Sequence, residues 1–440
     1  MAAKGDINKN DIQPPLSLKW GIVDFEQILV KTTIAHKLKA SDFSSEGMFP
    51  VIDQGANLIS GYVNDRNVLY NGELPVVIFG DHTRNIKFID FDFAVGADGT
   101  KILRTIDNVD IKFLYYYLKT LTIPDFGYSR HYSVIKALDF PLPPLAEQER
   151  IVTKLDALFA QIEKMKLSLA QIPFIVKNFK QQVLTQAVTG KLTEKWRKTA
   201  SISYVNPITI GIMTDLKPKN WNWEKLIDVA KLESGHTPRK SKEEYWINGD
   251  VQWISLQDIR KANGKTINNT LLKPNEFGIK NSSARLLPAG TVCFCRDISV
   301  GYVTIMGISM ATSQHFANWI CGNLLSNKYL MYSFLSSKDS LVSSSIGTTV
   351  GTIYMPALKE MRILIPPIDE QLEIVRKVDS LLAKADLIEA QYKTLKEKIE
   401  NLPQTILHKA FKGELVAQLP TDGDAKDLLE EIKKLNKKLK

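Results

Sequence analysis

The chain has 440 residues, of which 44% are hydrophobic and 24% charged; this composition is typical of a globular protein of about two to four domains and excludes a disordered one. Its formal net charge of +9 favours a polyanionic partner, although many basic proteins bind no nucleic acid. Three cysteines are too few for a disulfide framework, and no apolar run approaches the ~20 residues of a membrane span. We therefore expect a cytoplasmic protein with reduced thiols, no zinc site and no signal peptide.

Residues 1–142 mix short predicted strands with one helix. Apolar runs at residues 75–79, 86–89 and 91–95 predict strands, and residues 111–121 predict a helix. Because this segment carries 15 basic and 17 acidic side chains, a DNA site here must be a local cluster. Two polar loops concentrate the side-chain types that contact bases and phosphates, although ordinary solvated turns remain the alternative for any single residue. These candidates are Asp81, His82, Thr83, Arg84, Ser129, Arg130, His131 and Tyr132.

A long helix is predicted after the pair Pro143-Pro144, since proline cannot continue a helix backwards. Glu147 places negative charge in the first turn, where the helix dipole favours it. Apolar residues then recur at alternating steps of four and three, the spacing of a coiled-coil seam. Pro173 is expected to break the helix at its far end, and we assign residues 143–200 to a central helical spacer region. The seam consists of Ile151, Leu155, Leu158, Ile162, Met165 and Leu169.

Residues 201–364 repeat the order of elements seen in residues 1–142. A predicted strand at residues 291–295 and a predicted helix at residues 329–335 match those of the first segment, and a Gly/Ser/Thr-rich loop follows the helix in both. With 18 basic and 12 acidic side chains, this segment suits a polyanion better than the first. Its candidates for DNA contact are His236, Thr237, Arg239, Lys240, Arg260, Arg296, Gln314, His315, Thr348 and Thr349.

A second Pro-Pro pair opens residues 365–440, a C-terminal helical spacer region and tail. The motif Pro-Pro-x-x-Glu-Gln-x-x-Ile-Val occurs at residues 143–152 and again at residues 366–375. The register continues without a gap through Gly190 and Gly413, which indicates a tandem duplication; residues matched by this register are called equivalent below. Pro403 is expected to break this second helix. Its seam consists of Ile374, Val378, Leu381, Ala385, Ile388 and Tyr392.

Two matched seams in one chain favour helices that pack on each other over helices that pack only on their own domains. The predicted fold is α+β, with two globular mixed α/β domains joined by two long antiparallel coiled-coil helices about a pseudo-two-fold axis. A helix of about 25 residues spans ~38 Å, close to the ~34–36 Å of one turn of B-DNA. Two modules separated by such helices could read one face of DNA about a turn apart.

No catalytic motif is recognisable along the chain. There is no GxxxxGK[ST] phosphate loop, no Asn-Pro-Pro-Tyr or Asp-Pro-Pro-Tyr motif for amino-methyl transfer, and no convincing nuclease constellation. The sequence therefore favours a protein that binds and positions other molecules over an enzyme.

The repeated motif, followed by a heptad helix and then by Leu-x-x-Ala-x-x-Gly-x-Leu, resembles the specificity subunit of type I restriction-modification systems. The resemblance covers nearly the whole chain. Residues 221–240, with Trp223-Glu224-Lys225-Leu226, are similar to the opening of a target-recognition domain in that family, which Leu18-Lys19-Trp20 matches only loosely. The resemblance implies a non-catalytic DNA-binding subunit, with residues 1–142 and 201–364 as target-recognition domains that each read half of an asymmetric, bipartite target.

The resemblance also implies partners and their cofactors. Two methyltransferase subunits would dock on the helices, aided by the Lys/Gln-rich run at residues 177–186, and motor-nuclease subunits can join them. No cofactor is expected on this chain; S-adenosylmethionine, ATP and Mg²⁺ would belong to the partners. Three alternatives remain: the specificity partner of a fused methylase-nuclease, a coiled-coil scaffold that does not bind DNA, and an enzyme with an unrecognised site.

Overall fold

The structure, a computed structural model, describes residues 12–17, 19–96, 99–125, 130–211, 215–346 and 351–438. The chain divides into two units by its internal contacts. Unit 1 takes residues 1–170 and 394–440, and unit 2 takes residues 171–393. The predicted spacer regions are thus divided between the units, because each helix shares a core with the strands beside it.

Unit 1 begins with short strands and three helices. The five-residue strand β4 is buried throughout and lies between β5 and β7 in an antiparallel sheet; β3-β2-β6 and β1-β8 form the other sheets. The strands predicted at residues 75–79 and 86–89 and the helix predicted at residues 111–121 are confirmed to within a residue, whereas the run at residues 91–95 forms only the short β6. The elements are β1 (Gly21–Asp24), β2 (Phe49–Ile52), β3 (Gly61–Val63), β4 (Val76–Gly80), β5 (Ile86–Ile89), β6 (Ala94–Val95), β7 (Thr100–Leu103), α1 (Ile111–Thr120), α2 (Tyr132–Lys136), β8 (Asp139–Leu142) and α3 (Leu145–Ala170).

Unit 2 centres on a five-stranded sheet of order β11-β17-β14-β15-β13, with a three-stranded sheet β10-β18-β9 and the pair β12-β16. The strand predicted at residues 291–295 and the helix predicted at residues 329–335 are confirmed as β14 and α9. The elements are α4 (Ile172–Val188), α5 (Glu194–Arg197), β9 (Ile208–Ile210), β10 (Asn222–Lys225), α6 (Leu226–Val229), β11 (Ala230–Ser234), β12 (Trp253–Ile254), α7 (Leu256–Lys261), β13 (Thr266–Ile267), α8 (Glu276–Lys280), β14 (Val292–Cys295), β15 (Val303–Met306), β16 (Ala311–Thr312), β17 (Phe316–Cys321), α9 (Asn327–Ser336), α10 (Lys338–Ser343), α11 (Met355–Lys359), β18 (Met361–Ile365) and α12 (Ile368–Phe411).

Helix α12 contributes to both units, and α13 (Ala425–Lys438) completes unit 1. The break expected at Pro403 was wrong, because α12 runs through this proline to Phe411. Beyond Pro403, Leu407, Ala410 and Phe411 are buried, and this burial offsets the cost of the lost backbone hydrogen bond.

The core of unit 2 has two sides because β14 is buried on both faces. Val292 and Phe294 pack toward α9, where Phe294 stacks on Phe334 with ring centroids 4.4 Å apart. Cys293 and Cys295 point the other way, into a second apolar cluster. Both cysteines are free thiols, and burial raises the pKa of Cys295 to about 11.

The first residues of each seam are buried in a core that also contains the last turns of another repeated helix. In unit 1, Ile151 and Leu155 share a core with Leu407, Ala410 and Phe411 near the end of α12. In unit 2, the equivalent residues Ile374 and Val378 share a core with Leu184, Ala187 and Val188 of α4, which are equivalent to the three residues of α12. In each unit, the first turns of one repeated helix therefore share a core with the last turns of another, at equivalent positions.

Not every predicted seam residue takes part. Ile162, Leu169 and Ala385 are buried as well, and Leu158, Leu381 and Tyr392 are half-buried. Met165 and Ile388 are 39% and 46% exposed, so their assignment to a buried seam was wrong. These two positions are equivalent in the repeat, and the described part of neither unit provides a core to cover them. Over the described residues, no helix combines the length and apolar character needed to cross a membrane.

Candidate nucleic-acid interface

Each Glu of the repeated motif anchors a tryptophan at the start of its domain. In unit 1, Trp20 donates its indole N–H to Glu147 Oε1 at 3.1 Å. In unit 2, Trp221 donates to Glu370 Oε2 at 3.1 Å. Both carboxylates are only 1% exposed, so the motif's acidic residue is a buried structural group as well as a charge near the helix N-terminus.

Each Gln of the motif holds together a helix start and the Pro-Pro turn. Gln148 Oε1 accepts from the backbone N–H of Asp110, the residue that caps α1, and its Nε2 donates to the carbonyl of Pro143, both at 2.9 Å. Gln371 accepts from the N–H of Ser326, which precedes α9, at 2.8 Å and donates to the carbonyl of Pro366 at 2.9 Å. The motif therefore fixes one helix of each domain to its long helix.

A third side chain, an aspartate, also connects each long helix to its domain. We call the contacts of Glu147, Gln148 and Asp156 joint 1, and those of Glu370, Gln371 and Asp379 joint 2. In joint 1, Asp156 accepts from the hydroxyl of Tyr116 and pairs with Lys112 at 2.6 Å. In joint 2, Asp379 accepts from Tyr332 and pairs with Lys328 at 2.6 Å. Asp156 and Asp379 are again equivalent in the repeat, so the chain uses the same carboxylate, tyrosine and lysine twice.

The two joints differ in their charge balance. Glu370 also accepts from Thr193 at 2.7 Å and pairs with Arg197, whose side chain is 4% exposed. Among the described residues, Glu147 Oε2 has no hydrogen-bond partner, and burial raises the pKa of this carboxyl. In joint 1 the nearby arginine, Arg150, instead forms a two-point pair with Asp422 at 2.5 and 2.6 Å.

Joint 2 carries a domain whose polar loops meet at one end of the five-stranded sheet. Strand β17 pairs antiparallel with β11 and with β14, in the registers Ser234↔Ala317 and Cys295↔Phe316. The loops that follow β11 and β14 therefore lie beside the segment that precedes β17. These three segments, residues 235–240, 296–299 and 312–315, are called the unit 2 loop surface below.

Hydrogen bonds link most of the predicted DNA-contact residues of this domain. His236 N donates to the carbonyl of Thr312 at 2.9 Å, and Thr237 Oγ1 donates to Gln314 Oε1 at 2.5 Å. Arg296 donates from Nε and Nη2 to the carbonyl of Gln314, both at 3.3 Å, and His315 Nδ1 lies 2.6 Å from Asp297 Oδ1.

The charge of this surface is positive at its rim. Arg239 and Lys240 are exposed, and the structure gives neither an ion pair with a described residue. Arg260 joins the surface through Ser299, to which its Nε donates at 2.9 Å. Arg285, by contrast, is paired with Glu233. Cations around exposed amide and imidazole groups are suited to a phosphate backbone and to the base edges beside it.

The corresponding loops of unit 1 also meet, but two candidates are buried there. Asp81 and His131 are 2% and 0% exposed, and His131 N donates to the carbonyl of Asp81 at 2.9 Å. Asp81 Oδ1 also accepts from the N–H of Tyr132 at 2.8 Å. The prediction that Asp81 and His131 contact DNA was therefore wrong, because these side chains hold the two loops together.

The remaining candidates of unit 1 are partly or fully exposed. Arg84, whose φ of 63° lies in the left-handed region, pairs with Asp125 at 2.8 Å and donates to the carbonyl of Ile123 at 3.1 Å. Thr83 donates to the carbonyl of Gln54, and His82 N donates to Gln54 Oε1 at 3.1 Å. Arg130 is exposed, whereas Tyr132 is half-buried. Three further candidates, Ser129, Thr348 and Thr349, lie outside the described residues.

Sequence reasoning missed the tryptophans of the two joints. The sequence pattern matches Leu18-Lys19-Trp20 loosely to the segment that begins at Trp223. The contacts show instead that Trp20 corresponds to Trp221, because each tryptophan donates a hydrogen bond to the Glu of its own motif. A signal existed, because each tryptophan directly precedes the strand, β1 or β10, that pairs with the strand before Pro-Pro. Within the described part of the chain, no group of three or more His, Cys, Asp or Glu residues is arranged to hold a metal ion.

The family model described as "Type I restriction modification DNA specificity domain" matches the chain twice, at residues 20–173 and 218–397. The EcoDI specificity subunit of Escherichia coli is 28% identical over 95% of each chain. The EcoKI specificity subunit of Escherichia coli K12 is 31% identical over 67% of this chain and 63% of its own length. The crystal structure of the HsdS subunit from Thermoanaerobacter tengcongensis, 18% identical, shares the fold, with a TM-score of 0.61 over 91% of this chain and 98% of that chain. The chain thus belongs to the family of type I restriction-modification specificity subunits.

Proposed function

We propose that this chain recognises a bipartite, asymmetric DNA target, with one half-site read by each unit, and that it performs no catalysis of its own. The observation that carries the proposal is the pair of joints. Two equivalent sets of Glu, Gln and Asp contacts hold two domains whose loops differ in sequence and charge. Because the contacts that hold the two domains are repeated while the loops are not, the chain can present two domains that recognise different bases, as an asymmetric target requires.

We also propose that the chain positions methyltransferase subunits, which motor-nuclease subunits can join, in the cytoplasm. S-adenosylmethionine, ATP and Mg²⁺ would be bound by those partners. The exposed surface of α4 supports a docking role, because Phe174 and Ile175 are 67% and 57% exposed and Phe179 is also exposed. Lys180 of the same helix bridges to Asp386 and Glu389 of α12, near the exposed Leu387. The proposed docking face is therefore more apolar than the polar helix faces expected from the sequence.

A domain exchange tests the proposal. Residues 201–364 would be replaced by the corresponding domain of a relative, and methylated sites would be mapped across genomic DNA from cells that express the chain with its methyltransferase partner. We expect one half-site to change while the other half-site and the gap stay the same. A change in both half-sites would contradict the modular reading.

The salt dependence of binding separates a DNA reader from a scaffold. The affinity of the purified assembly for its mapped target should fall steeply between 50 and 200 mM salt, as roughly 10³–10⁵-fold losses accompany six to ten phosphate contacts. An assembly that methylates no specific sequence and binds DNA without salt dependence would contradict the proposed function.

A further inference from the structure

Gln314 is an exposed residue that is held both at its backbone and at its side chain. Its backbone carbonyl accepts from Nε and Nη2 of Arg296, and its side-chain oxygen accepts from the hydroxyl of Thr237. An exposed glutamine normally loses rotamer freedom when it binds a ligand, and that loss costs affinity. Here part of that ordering is already present, because the Thr237 hydroxyl holds the side-chain oxygen, as expected for a side chain that selects its ligand by geometry.

The backbone around Thr237 is fitted closely to the same segment. Gly235 lies so near the end of the β16 region that an added Cβ would stand 2.1 Å from the carbonyl oxygen of Ser313. The next residue, His236, donates its N–H to the carbonyl of Thr312, and Trp253 donates to the carbonyl of His236 at 3.1 Å. The position of the Thr237 hydroxyl is thus set by contacts at the two residues that precede it.

The orientation of the Gln314 amide has a chemical consequence. With Oε1 turned toward Thr237, Nε2 donates to no described residue, and its two N–H groups remain available. Oε1 keeps one further lone pair beside them. A donor and an acceptor side by side match the N7 acceptor and the N6 amino donor that adenine presents in the major groove.

We infer that Gln314 reads one adenine in the half-site recognised by unit 2, and that Thr237 is the positioning residue that orients its amide. The inference rests on the proposed function, since it assigns a base contact to the DNA reader. The exposed cations Arg239 and Lys240 flank this pair along residues 235–240 and are suited to the neighbouring phosphates.

The test compares four variants of the full chain in its assembly with the methyltransferase partner. Q314A removes the reader, T237V removes only the positioning hydroxyl, and T237S keeps the hydroxyl. N323A is the matched control, because Asn323 is exposed beyond the far end of β17, a six-residue strand that starts beside Gln314. Methylated sites are mapped in genomic DNA, and binding to oligonucleotides with every single-base change of both half-sites is measured.

For Q314A we expect one adenine position of one half-site to become degenerate, with a loss of discrimination of roughly 5- to 150-fold there. T237V should relax the same position, whereas T237S and N323A should leave the target unchanged. A Q314A target identical to that of the wild type would overturn the inference, as would relaxation at a guanine or in both half-sites. A wild-type assembly with no split target would overturn the proposed function instead, so the two failures are distinguishable. Circular dichroism and thermal unfolding of each variant show whether a lost specificity reflects a misfolded unit.

Discussion

At the scale of single residues, two glutamates in identical motifs have opposite surroundings. Glu370 is surrounded by Trp221, Thr193 and Arg197, and its charge is fully compensated. Glu147 bonds to Trp20 through one oxygen, and its second oxygen has no hydrogen-bond partner in the described part of unit 1. A counter-ion offsets the desolvation cost of a buried charge, whereas a buried charge without an ion-pair partner tends to destabilise the fold.

The same substitution should therefore have opposite effects at these two positions. E147Q keeps an acceptor for Trp20 and removes a buried charge that forms no ion pair with a described residue, so we expect unit 1 to gain on the order of 1 kcal/mol at pH 8. E370Q leaves Arg197 buried without its counter-ion, and we expect unit 2 to lose about 3 kcal/mol. Hydrogen exchange measured on peptides from each unit separates the two effects. Destabilisation of both units would contradict this account of the joints.

The sign of the pH dependence follows from the raised pKa of Glu147, whose main cause is burial. A carboxyl with a raised pKa in the folded state contributes fully below its unfolded pKa, and its contribution is lost as pH rises through the folded value. The advantage of E147Q over the wild type should therefore be smallest near pH 4 and grow toward pH 8. An advantage that is constant across this range would show that charge is not the cause.

Sequence alone could identify Glu147, Gln148, Glu370 and Gln371 as important, because the motif is repeated in register. It could not identify what they do, since their partners Trp20 and Trp221 lie more than a hundred residues away. Asp81 and His131 failed as predicted contacts for the same reason. Their side-chain types suit DNA, and only the packing of two separate loops reveals that they are buried.

At the scale of elements, helices were predicted well in position and poorly in extent. Apolar periodicity predicted the seams of α3 and α12, but it did not predict that α12 continues past Pro403. Local propensity favours a break at an internal proline, and burial of Leu407, Ala410 and Phe411 outweighs that preference. Long-range packing of this kind is not visible in a local sequence pattern.

Replacement of this proline should stabilise unit 1. P403A restores a backbone N–H inside α12, and we expect a gain of up to about 3 kcal/mol, measured by thermal unfolding. P173A is the matched control, because Pro173 occupies the second position of α4, where its missing N–H leaves no hydrogen bond unmade. A loss of stability in P403A would show that the bend imposed by the proline is required by the core.

At the scale of the whole molecule, the proposed function makes the long helices a ruler for the target. Seven residues inserted into both α3 and α12 keep the phase of the seam and lengthen each helix by ~10.5 Å. We expect the unread gap between the half-sites to grow by about three base pairs, at ~3.4 Å per pair, with both half-sites unchanged. The same seven residues inserted between Asn71 and Gly72, which are both exposed in unit 1, serve as the control. A changed half-site with an unchanged gap would contradict the ruler.

The division of α12 between the two units has a consequence for the order of folding. Residues 171–393 are contiguous, so unit 2 can complete its core as soon as α12 has begun to emerge from the ribosome. Unit 1 must wait, because Ile151 and Leu155 are covered by Leu407, Ala410 and Phe411, which are synthesised about 250 residues later. During translation the first domain therefore exposes an apolar surface for longer than the second, and that interval is the period in which chaperones or early partner binding would protect it.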